Sequence, residues 1–185
     1  DAIAEEDLCG RANAIGKMMM RLTGNPVLGA DLSSEAVTRF EAAGGRGSSL
    51  NEIMAECDIV IATTGAAGLI KPEKVRKGQI ILALSNPNAE IDPDAALAAG
   101  AAFAADGKSV NNVLGFPGIF RGAVDAHAPR ITHEMLVAAA ETIASMTPPG
   151  ELVPSPLDKK VHLAVARAVA ETAMKQGIAR AEYVP

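Results

Sequence analysis

Two short stretches, DIVIATTG (58–65) and GQIILALSNP (78–87), are nearly unbroken apolar runs that stop at polar turns. A strand with one wet face alternates apolar and polar residues, whereas a strand buried on both faces is apolar throughout. Between and after these runs come segments with helical spacing. Apolar strands separated by helices form a parallel sheet covered on both sides. The sequence therefore predicts an α/β chain with a doubly wound, mostly parallel sheet and a long C-terminal helix. Its 185 residues suit one domain, 1–185, with a substantial core; a second full domain would strain the length.

The other elements follow from period and punctuation. AIGKMMMRL (14–22) has helical spacing. PVLGADL (26–32) reads as a strand ending in an acid. SEAVTRFEAAGG (34–45) reads as a helix capped by Ser33 or Ser34 and stopped by Gly44 and Gly45, and SLNEIMAE (49–56) as a short helix with a Ser cap. DPDAALAAG (92–100) is a helix with Pro93 in its first turn, where a missing N–H is harmless. AAFAAD (101–106) is a weaker strand. THEMLVAAAETIASM (132–146) is a helix capped by Thr132, and residues 155–177 form the closing helix, stopped by Gly177.

Composition narrows the function. The net charge is −5 with no strongly basic stretch, which argues against nucleic acid as a partner. No apolar run reaches the roughly 18 residues of a membrane span. The acidic start DAIAEED is not a signal peptide, and the absence of an initial Met fits a piece of a longer polypeptide or a processed one. Cys9 and Cys57 form neither a disulfide framework nor a Cys-x-x-Cys pair, so they read as unremarkable thiols of a reducing cytoplasm. His127, His133 and His162 lack metal-ligand spacing.

In parallel sheets ligands bind beyond the carboxyl ends of the strands. The polar turns at those ends carry Asp31, Thr63–Thr64–Gly65, Ser85–Asn86–Pro87 and Asn111–Asn112. Upstream, CGRANAIG offers Gly10, Ala12 and Gly16, a small-residue turn about 20 residues before Asp31. That is the spacing of a Rossmann-like dinucleotide fingerprint, in which backbone approaches a pyrophosphate and the acid accepts ribose hydroxyls. The frame is irregular, with Ile15 where its third glycine belongs. Each turn also has a structural reading: a glycine entering a helix, a strand-end cap, an Asx turn at Asn86, a helix cap at Asn111 or Asn112. Two adjacent asparagines exceed what one cap requires.

ILALSNPNAEI (81–91) followed by VNNVLGFPGIFRGAVDAHAPRIT (110–132) resembles the malic enzymes, in their C-terminal cofactor domain, and the tail 152–180 resembles the end of the bacterial members. The resemblance implies oxidative decarboxylation of L-malate to pyruvate and carbon dioxide with NAD or NADP and Mg or Mn. It implies an upstream substrate domain on the same polypeptide that carries the acid, base and metal ligands, a homodimer, and a cytoplasmic location. By resemblance, Asn86 contacts malate or the nicotinamide ribose, and Asn112 donates to the malate carboxylate beside the nicotinamide. Asp31 matches the ribose acid, Thr64 and Gly65 the turn along the cofactor, and Gly10 and Ala12 the pyrophosphate turn. ADGKSVNN is shorter than the corresponding family segment, with Lys108–Ser109 where Arg-Ser would stand. Tyr183 matches no catalytic tyrosine. Hydride would pass from malate C2 to the nicotinamide, and the metal would then stabilise the enolate left by loss of carbon dioxide. Asp31 disfavours a 2′-phosphate and no cation follows before Arg39, so the electrostatics favour NAD over NADP. The competing readings are a nucleotide-binding domain without catalysis and another NAD-dependent dehydrogenase.

Overall fold

The computed structural model describes residues 2–110 and 112–181, leaving aside the side chains of residues 2–12 and 112. The chain divides into two compact units, Asp1–Val110 and Asn111–Pro185.

The first unit is α/β. Helix α1 (Ala2–Thr23) leads to β1 (Leu28–Gly29), α2 (Ser34–Ala42), β2 (Arg46–Gly47) and α3 (Leu50–Glu56). Then come β3 (Ile59–Ala62), β4 (Ile80–Ala83), α4 (Pro93–Ala98) and β5 (Phe103–Asp106). Strands β1 and β2 pair parallel as one small sheet; β3, β4 and β5 form a second parallel sheet in that order. The inward residues of β3 and β4, Val60, Ala62, Ile81 and Ala83, join Met54, Ile70, Ile91 and Ala96 in one buried cluster. The period-free apolar runs thus supply the sheet, as the sequence implied.

Local chemistry sets the helix starts. Ser33 caps α2 through a bond from the Ala36 N–H, and Ser49 and Glu52 form a reciprocal capping box on α3. Asp92 caps α4, with Pro93 in the first turn. Two boundaries depart from expectation. Gly10 and Ala12 do not form a turn at a helix entry; they lie inside α1, which begins at Ala2. The alanines and glutamates there favour helix, and one interior glycine costs only about 1 kcal/mol. Gly16 has a packing role: a Cβ there would stand 2.6 Å from the ring of Phe40, which also fills the space above Gly29.

The second unit is helical: a 3₁₀ turn at Asn112–Leu114, then α5 (Phe116–Asp125), α6 (His133–Ser145) and α7 (Lys159–Lys175). Helix α7 starts four residues later than the sequence pattern indicated, because Ser155 and Pro156 belong to a turn and Asp158 is the cap. Val165, Val169, Ala170 and Ala173 of α7 pack with Met135 and Ala139 of α6 and Ala123 of α5. A Cβ on Gly118 would lie 2.7 Å from the Val165 side chain, and one on Gly122 would strike the Ala166 carbonyl oxygen. The glycines of FPGIFRG therefore let two helix backbones meet. Gly177, at φ +68°, stops α7, and His127, at φ +50°, follows the last turn of α5 in the left-handed region.

Candidate cofactor edge of the first unit

The register aligns the carboxyl ends of three strands. Ala62 pairs with Ala83, and Ala83 with Asp106, so these residues form one row across the sheet. The chain leaves that row through Thr63–Thr64–Gly65, Leu84–Ser85–Asn86 and Gly107–Lys108–Ser109. Thr64, Gly65 and Asn86 are exposed. Three of the candidate residues thus stand along one edge, in the position where open parallel sheets bind ligands.

A buried carboxylate joins two of these turns. Glu90 is 0% exposed. Its Oε1 accepts the Thr64 N–H at 2.6 Å, the Thr64 hydroxyl at 2.9 Å and the Ser85 hydroxyl at 2.6 Å. Its Oε2 accepts the Ser85 N–H at 3.4 Å. Ser85 Oγ in turn accepts the Gly65 N–H at 2.8 Å. Alongside, the Gly68 N–H donates to the Ala89 carbonyl and the Ile70 N–H to the Glu90 carbonyl. Burial pushes the Glu90 carboxyl up, but bonds from the Ser85 hydroxyl and the Thr64 N–H and hydroxyl outweigh it and hold it below the usual carboxylate range. The ion pairs among the described residues do not include Glu90.

This arrangement decides what the Thr64–Gly65 turn can offer. Both of its N–H groups already donate within the protein. The turn is therefore no phosphate nest. Gly65 has φ +72°, and nothing lies within 4 Å of the position a Cβ would take, so there is open space beside it.

The third turn is fixed by Asn86 and Asp106. Asn86 Nδ2 donates to the Gly107 carbonyl at 3.1 Å, which orients the amide. A side chain at Gly107 would stand 2.8 Å from Asn86 Nδ2 and strike the Leu84 carbonyl oxygen, so the close approach of these turns requires glycine. Asp106 Oδ1 accepts the Ser109 hydroxyl and the N–H groups of Lys108 and Ser109, and the Ser109 bonds above all hold its carboxyl below the usual range.

Asp31 follows β1 with an exposed carboxylate, and its Oδ1 accepts the Ser33 N–H at 2.8 Å. Gly10 and Ala12 sit within α1, and Asn112 begins the 3₁₀ turn of the second unit. Asn111 and the Asn112 side chain lie outside what the structure describes. His162 Nε2 lies 2.8 Å from the Pro156 carbonyl, a local tie. Sequence reasoning assigned no role to Glu90 or Gly107. The available signal for Glu90 was its place in the Ser-Asn-Pro-x-x-Glu segment, 85–90, which carries part of the family resemblance.

A parallel sheet with polar turns along its carboxyl edge defines an α/β domain of the nucleotide-binding class. Comparison with known proteins makes this specific. The family described as "Malic enzyme, NAD binding domain" matches residues 104–178. NAD-dependent malic enzyme 1 of Bacillus subtilis (strain 168) is 62% identical over 162 residues, covering 87% of this chain and 37% of the relative. The bifunctional malic/malolactic enzyme of the same organism is 42% identical over 167 residues, covering 84% and 40%. A crystal structure of malic enzyme from Pyrococcus horikoshii Ot3 superposes with a TM-score of 0.69 at 30% identity, covering 94% of this chain and 55% of that one. The chain belongs to the malic enzyme family, in its NAD-binding domain. It spans about two fifths of the length of these curated relatives.

Proposed function

We propose that this chain is the cofactor platform of an enzyme that oxidatively decarboxylates L-malate to pyruvate and carbon dioxide with reduction of NAD(P). The observation that carries the reading is the aligned carboxyl edge, with Thr64, Gly65 and Asn86 exposed along it in a chain 62% identical to an NAD-dependent malic enzyme. Open space beside Gly65 and the exposed Asp31 carboxylate fit a dinucleotide. When bound, NAD supplies a nicotinamide that accepts hydride from malate C2.

The chain's own residues bind and orient. Asp31 accepts ribose hydroxyls, and the Thr64–Gly65 turn lies along the sugar. Asn86, its plane set by Gly107, presents a neutral amide to substrate or nicotinamide ribose, and Asn112 supplies a second amide to the malate carboxylate. Neutral donors orient an anion without adding a competing charge. Gly10 and Ala12, placed inside α1, offer the pyrophosphate small residues on a helix rather than a turn. Arg39, the first cation after Asp31, pairs with Glu35 at 2.8 Å, which supports NAD over NADP. Among the described residues no three His, Cys, Asp or Glu side chains are grouped to hold a metal ion; by family resemblance the ligands for Mg or Mn belong to the upstream domain. Among them, too, no helix is long and apolar enough to cross a membrane. A cytoplasmic location, a homodimer and that upstream substrate domain complete the proposal.

Calorimetric titration with NAD and then NADP tests it. NAD is expected to bind more tightly, and Asp31→Ala to weaken NAD by about tenfold while narrowing the gap to NADP. Equal binding of both nucleotides by the wild-type chain would remove Asp31 from the ribose. Malate-dependent NAD reduction by the full-length polypeptide, abolished or strongly reduced by Asn112→Ala, tests the substrate assignment.

A further inference from the structure

We propose that Glu90 is a positioning residue for the cofactor turn: its buried carboxylate sets the Thr64–Gly65 turn in register with Ser85–Asn86. The inference rests on the cofactor-platform reading above.

Three observations converge on it. Glu90 is fully buried, yet no Lys, Arg or His forms an ion pair with it among the described residues. Burying a lone carboxylate is unfavourable unless its oxygens are well satisfied, so a position needed only for packing would be better filled by an apolar residue. Its bonds are short, charge-assisted, and divided between two turns that leave neighbouring strands. The bonds also form a closed circuit. Thr64 and Ser85 both donate to Glu90, and the Gly65 N–H donates to Ser85 Oγ, so a shift of one turn breaks bonds to the other. Asn86 directly follows Ser85 and inherits that position.

Charge and length both matter to the circuit. A glutamine would keep one acceptor oxygen for the three donors, but its NH₂ would replace the oxygen facing the Ser85 N–H. An aspartate is one methylene shorter and could not span both turns from the same backbone.

The test compares wild type, Glu90→Gln and Ser85→Ala by NAD calorimetry and by amide hydrogen exchange of the free chain. In both variants NAD affinity is expected to fall about tenfold, and exchange to quicken at Thr64 and Gly65. The amides of α4 and α7 should keep their wild-type protection. If wild type binds NAD and Glu90→Gln binds as tightly, the inference falls and the cofactor reading stands. If exchange quickens throughout the first unit with the loss of affinity, Glu90 is a general fold determinant and the inference also falls. If the wild-type chain takes no NAD, the cofactor reading fails first and carries the inference with it.

Discussion

A methyl group at Gly122 would run into the carbonyl oxygen of Ala166 on α7, with the Val169 side chain at 2.9 Å behind it. Gly122→Ala is therefore expected to destabilise the second unit by about 1–3 kcal/mol, although alanine is the better helix former by about 1 kcal/mol. Urea unfolding followed by far-UV circular dichroism would measure this, and a gain in stability would show that the two backbones can separate freely. The obstacle at Gly16 is a side chain, the Phe40 ring, which can yield where a carbonyl cannot. At this scale the sequence marked positions without revealing partners. Glycines within FPGIFRG are visible in the sequence as poor helix formers, but Ala166 lies more than forty residues away along the chain. Glu90 was equally opaque: sequence cannot show that the Thr64 N–H, the Thr64 hydroxyl and the Ser85 hydroxyl meet at one oxygen.

Helix ends were the most legible feature, since a cap is decided by neighbours within a few residues. Ser33, one of the two serines expected for α2, accepts an N–H there, as do Ser49 at α3 and Thr132 at α6, and Asp92 caps α4 as well. In the seven-residue α3 the first-turn N–H groups that a cap serves are a large share of the backbone donors. Ser49→Ala is expected to cost about 1 kcal/mol and to speed exchange of the Glu52 amide, which donates to Ser49 Oγ at 3.2 Å. Unchanged thermal stability and unchanged exchange would show that tertiary contacts alone hold α3. The pairing of β1 with β2, two residues each, was not legible, because so short a strand exists only through its neighbour. The acidic run before Gly10 is helix in the structure, for which its alanines and glutamates are suited.

Over the whole molecule, four carboxyl groups among the described residues sit below their ordinary range: Glu52, Glu90, Asp106 and Glu134. Hydrogen bonds account for all four: from the Ser49 N–H at Glu52, within the Glu134 backbone region and from Gln176 at Glu134, from Ser109 at Asp106, and against the opposing effect of burial at Glu90. Each binds its proton less readily in the folded chain than in the unfolded one. Their stabilisation is complete above the ordinary carboxylate pKa and disappears as pH falls through the depressed folded values. Melting temperature is expected to be level near neutrality and to drop below roughly pH 5, with Glu90→Gln showing a shallower drop. A variant that kept the wild-type slope would remove Glu90 from the acid response. The parallel architecture and the edge bearing Thr64, Gly65 and Asn86 were legible because apolar runs mark strands and polar residues mark their ends. The division at Val110 was not legible, since one apolar composition runs through both units.

The contact between α5 and α7 has a mechanical consequence. Long side chains at a helix seam act as springs; glycine against a backbone carbonyl leaves no spring. Gly118 and Gly122 bring the backbones of α5 and α7 together, and the 3₁₀ turn that begins at Asn112 directly precedes α5. The closing helix carries none of the candidate ligand residues, yet it acts as a gauge block for the turn that carries one. Wear at the tail of the chain would therefore be felt at Asn112.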